Sequence, residues 1–78
     1  MKTGQIIKIL RTDFGMTQDC LAEKLYVSRQ LVSAWENGTR RPDYRTVCEI
    51  AGIFGEDTDY IIDGAKSALN EISLFNPL

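Results

Sequence analysis

Residues 17–38 constrain this chain more than any other stretch. TQDCLAEKLYVSRQLVSAWENG reads as two short helices joined by a tight turn. Leu21, Ala22 and Leu25 share one face of the first helix, Val32 and Trp35 share one face of the second, and Val27 is the turn's own apolar residue. Such a pair buries one side only. The opposite side of the second helix opens with Ser28, Arg29 and Gln30 and continues through Ser33 and Ala34. These small or hydrogen-bonding groups suit contact with base edges better than they suit a second core. Other helices must therefore close the apolar side of the hairpin, while the polar side stays open.

The flanking segments supply those helices. Over residues 3–14, Ile6, Ile7, Leu10 and Phe14 define an inward face, with Thr3 as N-cap and Gly15 as the C-terminal stop. Thr17 is expected to cap the second helix, with Asp19 in its first turn at the positive end of the helix dipole, and Ser28 to cap the third. Asn37-Gly38 ends the third helix, and the loop Thr39-Arg40-Arg41 runs into Pro42, which blocks continuation. Asp43 should cap a fourth helix reaching Phe54, with Val47, Ile50, Ala51 and Phe54 inward and Cys48 packed beside them as a small apolar residue. Gly55 ends that helix. Asp57 caps a short fifth one, whose Tyr60 and Ile61 close the core before Gly64 terminates it. Beyond it, Ala65, Ala68, Leu69, Ile72 and Phe75 recur at helical spacing as far as Pro77. The apolar face of that tail needs a partner, either the first helix or the same helix of a second subunit. The expected fold class is all-α: a compact five-helix bundle over residues 1–64, with a short C-terminal amphipathic helix in a tail, residues 65–78, that could serve dimerisation.

Composition narrows the function. At 78 residues, 44% hydrophobic and 26% charged, the chain is expected to be one soluble domain with a thin core, helped by oligomerisation. No apolar run approaches the roughly 18 residues of a spanning helix, and the N-terminus lacks a signal-peptide pattern. A cytoplasmic location and no membrane partner are expected. Histidine is absent, and Cys20 and Cys48 are far apart in sequence, which argues against zinc. Without a histidine base or a glycine-rich phosphate loop, the composition points to no enzyme, no metal and no cofactor. A net charge of −2 runs against a polyanionic partner. Its distribution softens that objection: Glu56, Asp57, Asp59 and Asp63 crowd near the end, while Arg29, Arg40, Arg41 and Arg45 face only Glu36 and Asp43 in the middle. The net charge still predicts modest non-specific affinity for a polyanion.

The run MTQ..LA.KL.VSRQ.VS.WENG, followed by RRPD, resembles the repressor and Cro type of helix-turn-helix, the XRE family, and weaker patterns extend the likeness from about Thr3 to Gly64. The resemblance implies a sequence-specific, double-stranded-DNA-binding transcriptional regulator, with a small dimeric repressor as the first expectation and the third helix in the major groove of an operator. Arg29 and Gln30 are the first candidates for base contact, because Arg can pair with guanine O6 and N7 and Gln with adenine N6 and N7. Ser33 and Ala34 line the next turn. Gln18, Ser28, Asn37, Thr39, Arg40 and Arg41 are the candidates for DNA backbone contact. In the resembling family an arginine at the position of Arg11 pairs with the glutamate before Asn-Gly, here Glu36, and the same structural ion pair is expected. The chain departs from the family pattern at four positions. Cys20 replaces a glutamate that would close a capping box, Tyr26 a glycine, Leu31 a hydroxyl residue and Glu56 an apolar one. Leu31 could touch a thymine methyl or pack on the turn. The rival class is an antitoxin or anti-regulator with a protein partner, suggested by the acidic patch at 56–63 and the apolar tail.

Overall fold

In the computed structural model, which describes residues 2–64, the chain forms five helices. They are α1 (Thr3–Asp13), α2 (Gln18–Leu25), α3 (Arg29–Asn37), α4 (Tyr44–Phe54) and α5 (Thr58–Asp63), with no strand among the described residues. The all-α, five-helix architecture read from the sequence is the one observed. The helix expected in the tail, with Leu69 and Ile72 on its apolar face, lies outside the described residues.

Short polar side chains set three of the helix starts. Thr17 Oγ1 accepts from the Cys20 N–H at 3.0 Å, Ser28 Oγ from the Leu31 N–H at 3.1 Å, and Asp43 Oδ1 from the Thr46 N–H at 2.9 Å. Hydrogen bonds from the Thr46 side chain and then its backbone lower the Asp43 pKa from its ordinary value, which favours the charged form of the cap. The start of α1 differs from the sequence expectation. Lys2, not Thr3, holds the N-cap position, and Gln5 Oε1 accepts from the Lys2 N–H at 3.0 Å. Thr3 lies inside the helix and is buried, where its hydroxyl donates to the Ile62 carbonyl at 2.9 Å and ties α1 to the end of α5.

The apolar faces meet in one cluster that takes Ile6, Ile7 and Leu10 from α1, Leu21 and Leu25 from α2, Val32 and Trp35 from α3, and Ile61 from α5. The α4 stripe Val47, Ile50, Ala51 and Phe54 completes it, and each fully buried large apolar side chain contributes about 1.5–3 kcal/mol. Two residues expected inside are not there. Phe14 is 54% exposed because it stands just past the last residue of α1, with its ring edge-on to Phe54 at a centroid distance of 4.9 Å. Cys48 is exposed, one step off the buried stripe of α4. Tyr60 is half-buried against the cluster.

Gly4 carries a requirement that hydrophobic periodicity does not express. A Cβ there would lie 1.9 Å from the Trp35 carbonyl oxygen, so α1 crosses the last turn of α3 backbone to backbone. Gly52, inside α4, has nothing within 4 Å of the same position. Gly4→Ala should therefore destabilise by about 1–3 kcal/mol through forced separation of α1 and α3. Gly52→Ala should stabilise by about 0.5–1 kcal/mol through helix propensity alone. Chemical denaturation of the two variants measures both signs; a Gly4→Ala protein as stable as its parent would contradict the close crossing.

Candidate nucleic-acid interface

The turn between α2 and α3 is made by Tyr26, Val27 and Ser28. Tyr26 takes the left-handed conformation, φ 57 and ψ 42, that usually falls to glycine. The strain, about 1–2 kcal/mol for a residue with a Cβ, is accepted, and the ring is left 95% exposed. Val27 turns inward, its N–H bonding the Ala22 carbonyl at 3.0 Å and its side chain packing on the core. Leu31 also packs there and is half-buried. Cys20 is half-buried, and only its N–H takes part in the α2 cap.

With the turn fixed, α3 has a defined inside and outside. Val32 and Trp35 are buried, Arg29, Gln30 and Asn37 are exposed, and Ser33 and Ala34 are half-buried between them. Ser28 Oγ accepts in the α3 cap and keeps its own O–H to donate. Asn37 Nδ2 reaches Ser33 Oγ at 3.4 Å along the outer edge. At the far end α3 closes on Gly38, with φ 80, and the N–H and hydroxyl of Thr39 both return to the Ala34 carbonyl, at 3.0 and 3.2 Å. Arg40 and Arg41 follow on an exposed loop.

Beneath this surface lies the ion pair. Arg11 Nε donates to Glu36 Oε2 at 2.7 Å and Nη2 to Oε1 at 3.0 Å, with side-chain exposures of 11% and 3%. The third guanidinium nitrogen donates to the Met16 carbonyl at 2.8 Å, so one side chain joins α1, the loop before α2, and α3. The hydrogen bonds to Glu36 push the Arg11 pKa upward against the opposing effect of burial, and the guanidinium stays charged at any working pH. Glu36 Oε1 also accepts from Gln18 Nε2 at 3.1 Å, which sets the orientation of that amide. Gln18 Oε1 then faces out and accepts from Arg29 Nη1 at 3.3 Å, while Arg29 Nε lies 3.8 Å from Asp19 Oδ1.

Arg11, Glu36, Gln18 and Arg29 are thus brought into one connected network, whereas Gln30, Arg40 and Arg41 stand apart from it. Sequence reasoning treated Gln18 as a backbone contact and Asp19 as a helix-dipole residue, and assigned neither of them to Arg29. The spacing of α2 against α3 alone holds no signal for that pairing.

The chain is similar to known proteins in sequence and in fold. The helix-turn-helix family model matches residues 7–61. The chain is 33% identical to the uncharacterized HTH-type transcriptional regulator YqaE of Bacillus subtilis (strain 168), over 88% of this chain and 68% of that protein. It is 36% identical to the HTH-type transcriptional activator BcrR of Enterococcus faecalis, over 85% of this chain but only 32% of that protein's length. Its fold is similar to that of the P22 c2 repressor crystallised with synthetic operator 9T in the presence of Tl+, with a TM-score of 0.78 over 83% of this chain and 98% of the other. Their sequence identity is 22%, so this last likeness is one of fold.

The burial of the ion pair has a measurable consequence. Glu36→Ala would leave the Arg11 guanidinium without its carboxylate and should destabilise by about 3 kcal/mol, against less than about 1 for a solvated pair. Urea denaturation separates these outcomes; a loss in the smaller range would mean that solvent screens the pair.

Proposed function

The chain belongs to the XRE-type helix-turn-helix family, and on that premise we propose that it is a cytoplasmic, sequence-specific regulator of transcription that works as a small dimeric repressor on double-stranded DNA. The observation that carries this reading is the two-sided character of α3. Its inner face is locked by Val32 and Trp35, and its outer face offers Arg29, Gln30, Ser33 and Ala34 in succession. In support, YqaE and BcrR bear the names of transcriptional regulators, and the P22 c2 repressor of similar fold is bound to an operator.

In the major groove, Arg29 would bond guanine O6 and N7, and Gln30 adenine N6 and N7. Ser33 and Ala34, one turn on, would meet the next bases, with the Ala34 methyl against a thymine methyl. Gln18 keeps a second amide hydrogen beyond the one given to Glu36 and can offer it to a phosphate while it steadies Arg29. Ser28, Asn37, Thr39, Arg40 and Arg41 flank the same surface and would hold the DNA backbone. A single domain covers one half-site. Two copies, joined through the tail at residues 65–78, would therefore span half-sites about one helical turn, roughly 34–36 Å, apart.

Base readers and phosphate holders should fail differently. Gln30→Ala should cost about 1–3 kcal/mol on the preferred duplex and relax the choice at one base pair per half-site, with the salt slope nearly unchanged. Arg41→Ala should weaken preferred and scrambled duplexes alike and lower the salt slope by about one. Titration of a duplex selected from random sequence, and of its scrambled form, at several salt concentrations separates the two, and should saturate at two chains per site. Intact discrimination in Gln30→Ala would put the wrong face of α3 in the groove, and saturation at one chain would remove the dimer.

A further inference from the structure

Lys2 lies outside residues 7–61, the span of the family match, and the roles assigned above use only its backbone. Its side chain lines a cleft of about 420 Å³ between the start of α1 and the loop after α3, and Arg40 and Arg41 line the same cleft from that loop. Gly4 and Gly38 contribute bare backbone to the walls. All three cations are exposed, none forms an ion pair among the described residues, and no acidic residue lines the cleft. Two stretches far apart in sequence therefore hold three like charges around one hollow, an arrangement that repels itself until an anion enters. The C-terminal end of α3 also borders the hollow at Gly38, and two of its last carbonyls already have backbone donors. The Trp35 carbonyl is occupied by the Gly38 N–H at 3.2 Å and the Ala34 carbonyl by the N–H groups of Thr39 and Arg40 at 3.0 and 3.3 Å.

We propose that this cleft is a phosphate site, filled by a backbone phosphate of the bound DNA, and that Lys2 is a DNA contact made from the start of α1, far in sequence from the recognition helix. The inference rests on the DNA-binding function proposed above. The cleft borders the end of α3, so a duplex lying along that helix passes its mouth. Its cations are long and exposed, which suits a charge on a polymer held elsewhere better than a small ligand that must be enclosed to bind.

The test uses the full chain and the selected and scrambled duplexes. Lys2→Gln should weaken both equally, and the drop in affinity between 50 and 200 mM salt should shrink by about 3.5-fold, as expected for one lost phosphate. Lys2→Arg should restore the parent behaviour, and Arg40→Gln, on the other segment of the cleft, should repeat the loss. ATP and inorganic phosphate, titrated without DNA and followed by amide chemical shifts, should give no saturable binding. An unchanged salt dependence in Lys2→Gln or in Arg40→Gln, or a changed base preference in either, overturns the proposal. Saturable ATP or phosphate binding that Lys2→Gln removes overturns it too, and assigns the cleft to a free phosphorylated molecule. A parent chain with no salt-sensitive affinity for any duplex refutes the DNA-binding function itself, whereas normal parent binding with an unaltered Lys2→Gln refutes the cleft alone.

Discussion

The pairing of Arg11 with Glu36 is the interaction on which the rest depends. A carboxylate exposed by only 3% at its side chain must have partners, and it has three donors: two guanidinium nitrogens of Arg11 and the Gln18 amide. Arg11 in turn must satisfy its remaining fork, and it does so on the Met16 carbonyl. Meeting these demands fixes α1, the approach to α2, and the rotation of α3 about its own axis. Among the described residues no buried side-chain polar atom is left without a hydrogen bond. Rotating α3 would break the pair and lift Val32 and Trp35 out of the core together, so the outward set Arg29, Gln30, Ser33 and Ala34 is held by charge and by packing at once.

The same network weakens in steps toward the surface. The Glu36 contacts are short and enclosed, the Gln18 to Arg29 bond is 3.3 Å, and the Arg29 to Asp19 pair is 3.8 Å with both side chains more than half exposed. An exposed pair of that kind contributes at most about 1 kcal/mol. Arg29 is therefore oriented in the free protein but able to leave Asp19 when another acceptor is offered. Rigid support below and a releasable side chain above would suit Arg29 to the base contact proposed for it, since less rotamer entropy is then left to lose on binding.

Much of this was legible in the chain. The stripe Val47, Ile50, Ala51, Phe54 and the caps Thr17, Ser28 and Asp43 are local patterns, set within one or two turns, and they stand where the periodicity put them. What escaped was set at a distance. Thr3 is diverted from its capping role by the Ile62 carbonyl, and Gly4 is required by Trp35, a residue of another helix. Phe14 continues the apolar spacing of α1 but falls past its end, where the helical face no longer exists. In the site, family likeness brought Arg11 to Glu36, but the link from Glu36 through Gln18 to Arg29 arises only when α2 and α3 are docked.

In this account the buried pair serves recognition more than stability, because well-packed apolar residues can replace a buried ion pair with little loss. The most direct measurement is the ratio of affinities for selected and scrambled duplexes in the double variant Arg11→Met with Glu36→Leu, together with its unfolding free energy. The account predicts stability within about 2 kcal/mol of the parent. It also predicts a discrimination ratio lowered about tenfold, equivalent to about 1.4 kcal/mol, as Gln18 loses its anchor and Arg29 its orientation. A stable double variant that discriminates as well as the parent would contradict it.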